Sequence, residues 1–578
     1  MKDSLKKRGQ KFVKKFSRAS EKAREESKEH IKENVFARVS HIGNIKLLIF
    51  EWCLLAAALI MLASAQAFWF ASSYSEDVFI AGGTYTEATV GAVNSMNPLF
   101  AMTSSEQVLS RLMFATLVKN DYSGHPGMGL AEYVTPSEDG RVWTMGLKSG
   151  IKWSDGEDLT VDDVMFTLEL VQNPLVNSIY DAKLAGVKIS QNENNEIVFT
   201  LPSAYADFIS LLDIPVVPKH ELEDASPRTL VEDDFSITPV TSGPFTLNAT
   251  QTTTSDVERV IYLSGNPNYY LGKPLLNSFA VHTYEDKEAV KRAVRSGVVT
   301  ATAEFDENEA EELATGQYLK KESGIDWGAF IFFNLKNGAL KNKELRVAIR
   351  KGIDISKIRE AAPDNTPLNY PITDAQIKLD KYPSLPERDY EASAAKIAEI
   401  KGENTLSLNV TTVNSGNLPQ VATALSEELR ALGIESEVIT YSETQEFVTN
   451  IISRRNYDIL VYEIELGADP DPLPYYHSSQ ASTTGLNLSN YRNTLVDDLL
   501  VGARESLDDE LRTRKYESFL EYWVSDVPAI GLYQANLTYL YSKNVRTFGN
   551  DVRLVTALDR FVDVTNWASE KGTKNKTP

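Results

Sequence analysis

The stretch LSLNVTTVNSGNLPQVATALSEELRALGIESEVITYSETQEFVTNIISRRNYDILVYEI, residues 406–464, decides the fold class. Residues 406–413 alternate as a strand does. Leu418, Val421, Leu425, Leu429 and Leu432 then step by three or four, which puts them on one face of a helix. Gly433 ends that helix. A second strand is expected over 434–441, a shorter helix over 443–453, and an apolar strand over 457–464. Strands alternating with helices imply a parallel sheet with crossover connections, hence an α/β fold. Ligands are then expected in the crevice beyond the carboxyl ends of the strands.

Toward the N-terminus the texture changes. Turn signals crowd the chain at Asn120-Asp121-Tyr122-Ser123-Gly124, Ser137-Glu138-Asp139-Gly140 and Trp153-Ser154-Asp155-Gly156, with a strand expected over 141–147. Thr160, with Asp163 three residues on, has the form of a capping box. The helix it starts should run over 161–172 and stop before Asn173-Pro174. At 578 residues the chain is too long for a single core, and two lobes of different texture are expected.

The net charge is −21, yet residues 1–46 hold 14 Lys/Arg and 6 Asp/Glu. The remainder therefore carries −29, the wrong sign for binding nucleic acid. The basic arm precedes LLIFEWCLLAAALIMLASAQAFWF, residues 47–70, whose only charge is Glu51. Its eleven Leu, Ile and Phe side chains favour insertion by about 3–7 kcal/mol in total, and 24 residues can cross the hydrocarbon. The expectation is an uncleaved anchor over 47–72. Positive charge before it keeps 1–46 in the cytoplasm and puts the rest outside. Leu5, Phe12, Val13 and Phe16 in the arm could rest on anionic lipid. The single cysteine, Cys53, excludes a disulfide framework, a Cys-rich zinc site and an iron–sulfur cluster.

The segment RVWTMGLKSGIKWSDGEDLTVDDVMFTLE, residues 141–169, closely resembles the signature of family-5 extracellular solute-binding proteins, the peptide, nickel and oligosaccharide receptors of ABC importers. Gly82-Gly83-Thr84, Ser95-Met96-Asn97-Pro98-Leu99, Leu130-Ala131-Glu132, Thr241-Ser242-Gly243-Pro244-Phe245, Asn266-Pro267-Asn268-Tyr269-Tyr270, Leu345-Arg346-Val347-Ala348-Ile349 and Asp469-Pro470-Asp471-Pro472 resemble further family landmarks, in the family's order. The resemblance implies a two-lobed, periplasmic-binding-protein-like clamp of type II with an enlarged first lobe, here preceded by one transmembrane helix. It implies a first lobe over 78–320, a second over 321–528, a return segment over 529–570 and a tail over 571–578.

In function the resemblance implies a receptor that closes on its ligand and presents it to an ABC permease served by separate ATPase subunits. A short peptide is the expected cargo; a nickel complex, an oligosaccharide, or a tethered sensor signalling to a partner are the alternatives. By family position Asn94, Ser95, Met96 and Trp327 are cleft candidates, as are Glu463, Glu465, Asp469, Asp471 and His477 around the last strand end. Aligned through Asp469-Pro470, the acid with which peptide-binding members hold the ligand amine falls on Leu466, so that role would move to Glu465 or be absent. No catalytic residue, metal site or cofactor is expected. The six histidines have no metal-ligand spacing, and no nucleotide-binding GxxxxGK[ST] or hydrolase GxSxG motif occurs.

Overall fold

The computed structural model describes residues 46–252, 257–362, 366–442 and 445–575, with residues 20, 21, 24, 25 and 28 of the N-terminal arm. The amphipathic pattern of Leu5, Phe12, Val13 and Phe16 lies outside the described residues, as does the end of the tail. Residues Phe79–Glu570 form one compact unit, and the segments on either side of them form another.

The large unit is built on one long mixed sheet. Its strands in chain order are β1 (Thr84–Val90), β2 (Phe245–Thr252), β3 (Val257–Gly265), β4 (Ser278–Tyr284), β5 (Ala301–Thr302), β6 (Tyr318–Phe333), β7 (Val410–Val413), β8 (Val438–Tyr441), β9 (Ile459–Glu465) and β10 (Ala529–Ser542). Across the sheet they run β8-β7-β9-β6-β10-β5-β1-β4-β3-β2, and the short strand Thr366–Pro367 adds to β10. The expected parallel run is present: β7 pairs in parallel with both β8 and β9. Helix Leu418–Ala431 connects β7 to β8 and buries Leu418, Val421, Leu425 and Leu429, the face read from the sequence. Gly433, at φ 80°, turns the chain into the next segment in a conformation that glycine adopts without strain. The expected helix over 443–453 is Gln445–Phe447 followed by a π-helical turn, Val448–Ile452.

Two strands hold this unit together. The inner half of β6, Ala329–Phe333, packs with Ala529–Tyr533 of β10 in a core shared by helices Lys343–Gly352, Leu418–Ala431 and Asp509–Asp526. The outer half of β10 supplies Leu537 and Tyr539 to a separate core around Tyr85, Phe279 and Trp567. Tyr318 and Leu540 serve a third, smaller cluster with Val290 and Val294. Burying each large aromatic side chain contributes roughly 1.5–3 kcal/mol. Each core is thus substantial by itself, and the two long strands run from one to the other. The core around Tyr85, Phe279 and Trp567, the first in chain order, also carries a four-stranded antiparallel sheet, Ala131–Pro136, Val142–Leu147, Ile197–Thr200 and Lys188–Gln191 in that spatial order. Helix Val161–Gln172 packs beside it with the expected bounds. Asp163 accepts hydrogen bonds from Thr160 N at 2.8 Å and Thr160 Oγ1 at 3.2 Å.

A buried ion pair fastens the C-terminal segment back onto β1. Arg560 Nη2 lies 2.7 Å from Glu87 Oε1, and both side chains are nearly inaccessible. Tyr539 donates to the other oxygen of Glu87 at 2.8 Å, and the Tyr85 and Tyr539 hydroxyls are 2.8 Å apart.

Before this unit comes a continuous helix, Lys46–Tyr74. Its described side chains are exposed, Phe50, Trp52, Leu54, Leu59, Ile60 and Leu62 among them. Among the described residues, whose side chains here cover only 50–66 and 69, no helix is long and apolar enough to cross a membrane, and the expected span is not confirmed.

Candidate functional site

The carboxyl end of β9 sets the site. β9 pairs antiparallel with β6 so that Glu463 stands opposite Ala329 and Glu465 opposite Trp327. Paired residues share a face of a sheet, and residues two apart on a strand share it too, so Glu463, Glu465 and Trp327 lie on one face. Gly467, at φ 78°, then turns the chain away. Leu466, where the family's amine-binding acid would fall, is buried, and its carbonyl accepts from Gln376 Nε2 at 2.7 Å.

Glu463 faces a cavity of about 250 Å³ whose walls come from both cores. One wall is Lys287 and the segment Ala303-Glu304-Phe305-Asp306-Glu307; the opposite wall is Gly416-Asn417, at the start of helix Leu418–Ala431. The hinge strands β6 and β10 close the back with Glu322, Ile325, Tyr533, Ala535 and Thr538. The lining thus holds five carboxylates, Glu304, Asp306, Glu307, Glu322 and Glu463, against the single lysine Lys287. Lys320 binds Glu307 at 2.9 Å and Glu322 at 2.8 Å, and Tyr533 donates to Glu463 at 3.4 Å. Glu304 accepts from Val90 N at 3.1 Å, and burial raises its pKa. Carboxylates that line one cavity from both sides favour a cation that enters it.

Glu465 accepts no hydrogen bond and makes no ion pair among the described residues. Its side chain is exposed at the strand end, yet desolvation by the surrounding protein raises its pKa, partly offset by Lys183, while Asp559 and Asp213 add to the rise. It is a carboxylate held without a partner at a strand end.

The other expected site residues are placed differently. Asp469 pairs with Arg512, and Asp471 pairs with Arg504 at 2.9 Å. These pairs sit where the two cores meet: Ala206 N donates to Arg504 O at 2.8 Å, the Arg504 guanidinium lies 4.4 Å over the Tyr205 ring, and Tyr205 OH reaches Asp471 at 3.5 Å. Asp207, buried beside Asp469, has its pKa raised well above the ordinary carboxylate value by that burial. His477 caps a short 3-10 turn by accepting from Ser479 N at 3.0 Å. Asn94 is exposed with its backbone N bonded to Glu106, Ser95 accepts from Asn97 N, and Met96 belongs to the first core. None of these last four lines the 250 Å³ cavity. Sequence reasoning missed Glu304, Asn417 and Tyr533, whose approach to Glu463 depends on the fold alone.

This two-core clamp with a crevice between is the architecture of a binding receptor. Residues 125–487 match the model of the bacterial extracellular solute-binding proteins, family 5 Middle, and the chain belongs to that family. The oligopeptide-binding protein AppA of Bacillus subtilis is 23% identical over 79% of this chain and 87% of its own length. The nickel-binding protein NikA of Staphylococcus aureus is 23% identical over 66% of this chain and 75% of its own. The crystal structure of the B. subtilis AppA in complex with a nonapeptide superposes with a TM-score of 0.68 at 21% identity, covering 85% of this chain and all of that one. NikZ from Campylobacter jejuni in complex with Ni(L-His) gives 0.69 at 20%, over 84% and 99%. The shared fold is the two-lobed α/β clamp of these receptors.

Proposed function

We propose that the protein is a membrane-tethered receptor that captures an amine-bearing solute, a short peptide foremost, and presents it to an ABC import permease. The observation that carries this reading is the acid-lined cavity between the two cores, with Glu463 on one side and Glu304 on the other. A ligand ammonium is the group such a lining selects, and a charge-assisted hydrogen bond to carboxylate is about twice as strong as a neutral one. Leu466 removes the family's usual amine partner, and Glu463 and Glu465, three residues and one residue before it, take its place. The relatives named for oligopeptide binding support the same cargo. The protein acts as a receptor and not as a catalyst.

The tether is the helix Lys46–Tyr74: its exposed Leu, Ile, Phe and Trp side chains suit lipid, and the basic arm before it suits the cytoplasmic side. Native mass spectrometry of the full chain in detergent, after growth in peptide-rich medium, tests the cargo. Co-purified peptides that are lost in Glu463→Gln support the reading. A sugar or metal complex in their place would replace the peptide, and an empty cleft unmoved by peptide pools would end it.

A further inference from the structure

The contact that joins the two lobes around Arg504 is built from fixed parts. On the first-lobe side Tyr205, Ala206 and Asp207 lead into a 3-10 turn, Phe208–Leu212. Phe208 is buried, its ring 5.7 Å from Trp143 and 5.3 Å from Phe199, which ties the backbone at Asp207 to the first core. On the other side Asp469 and Asp471 follow the turn at Gly467, and Tyr516 donates to the Pro470 carbonyl between them. Leu507 adds apolar surface by lying against Gly140, where an added Cβ would come within 3.5 Å of its Cγ.

Three carboxylates and two guanidiniums meet here. Asp469 has Arg512 and Asp471 has Arg504. Among the described residues Asp207 makes no ion pair, and its carboxylate accepts one hydrogen bond, from Ser210 Oγ at 2.5 Å. Desolvation, then the charges of Asp469 and Asp471, lift its pKa well above the ordinary carboxylate value, against the pull of Ser210 and Arg512. Desolvation raises Asp469 as well; Arg512 opposes the rise, and Asp471 and Asp509 add to it. The other polar groups around the contact are Tyr205, whose hydroxyl reaches Asp471 at 3.5 Å, Arg141, bound to the Pro202 carbonyl at 2.7 Å, and Asp509, 3.7 Å from Arg512. Tyr205 stays neutral because burial pushes its pKa far up. Arg504 and Arg512 each already serve another carboxylate.

Opening the clamp takes Asp207 away from Asp469 and Asp471 and returns it to water, where such a carboxyl ionises near about pH 4. The shut form therefore binds the proton on Asp207 more tightly than the open form does, and acid favours the shut form.

We propose that this contact is a proton-operated latch: a protonated Asp207 lets the lobes hold together, and an ionised Asp207 pushes them apart by repulsion from Asp469 and Asp471. One linked proton moves the open–shut equilibrium by up to about tenfold per pH unit above about pH 4, until the carboxyl is ionised in both forms. A neutral exterior then favours the open form that accepts ligand, and an acidic one the shut form. The latch does not depend on what the clamp captures.

The test is energy transfer between dyes at Glu157→Cys and Glu399→Cys, one on each lobe, in the full chain with Cys53→Ser. It is run in detergent without ligand from about pH 5 to about pH 8. With Asp207 intact, the dye distance should lengthen as pH rises, the open-to-shut ratio growing at least tenfold across the range. Asp207→Asn keeps the shape and never ionises, so its distance should stay short throughout. Other acids such as Glu465 and Asp326 titrate in both proteins, and the difference between the two reports the latch alone. If Asp207→Asn does not fold, Asp207→Ser takes its place with the same expectation. A dye distance that is constant with Asp207 intact would overturn the proposal, as would an Asp207 variant that opens with pH just as the intact chain does.

Discussion

Replacing Arg504 by methionine tests whether the contact between the two cores holds the clamp shut. Arg504 joins the cores by three contacts: its pair with Asp471 at 2.9 Å, its stacking 4.4 Å over Tyr205, and its carbonyl's bond to Ala206 N. The third is backbone and survives the substitution. A cation–π contact at a partly desolvated site contributes about 0.5–2 kcal/mol. The ion pair adds less than a fully buried one would, since the Arg504 side chain is 31% exposed; about 0.5–1 kcal/mol is the scale after solvent screening. The substitution should therefore weaken the shut state by about 1–3 kcal/mol, or roughly 5- to 150-fold in the open–shut equilibrium. A ligand that binds the shut form must then supply that difference, and its apparent affinity falls by up to the same factor. The assay is ligand affinity by calorimetry beside the distance between labels on the two lobes, for example at Glu157 and Glu399. Asp471→Asn should give a smaller loss, because Tyr205 still stacks on Arg504. Unchanged affinity together with an unchanged label distance in Arg504→Met would refute the reasoning.

The other predictions concern buried charge and the crevice. Burial lifts the pKa of Asp326 to about 6 despite its pair with Arg553 at 2.6 Å. An acid whose pKa is higher folded than unfolded stabilises the fold most below about pH 4, and that stability is lost as pH rises through about 6. The loss is on the order of 3 kcal/mol. Urea melts of Asp326→Asn minus wild type should therefore rise between pH 4 and 6.5, and a flat difference would count against it. Arg560→Ala leaves Glu87 buried without its partner and should cost about 3–5 kcal/mol in chemical denaturation. A loss under 1 kcal/mol would mean that water reaches Glu87. Glu463→Gln should lower peptide affinity by about tenfold to a hundredfold, the loss of one charge-assisted bond of about 1.5–3 kcal/mol, with little change in melting temperature. Equal affinities would move the amine to Glu465.

What could be read in advance was whatever neighbouring residues decide among themselves. Helix Val161–Gln172 has its expected bounds because Thr160, Asp163 and Pro174 start and stop it locally. The face of helix Leu418–Ala431 follows from spacing alone. The site was harder because its members meet only through the sheet. Asp469 and Asp471 were expected to face a ligand in the cleft, yet their partners Arg512 and Arg504 arrive on helices that come later in the chain. In a sequence rich in both charges, nothing marks which arginine reaches which aspartate. Glu463 and Glu465 differ in kind: their strand ends at the crevice, and the β6 register sets them beside Ala329 and Trp327. Glu304 reaches the same crevice from another lobe, and only the return of the chain through β6 and β10 makes it a neighbour. An acid on a loop is thus informative once its cations are counted. At Asp469 and Asp471 those cations bind the protein to itself, whereas Glu465 has none bound among the described residues.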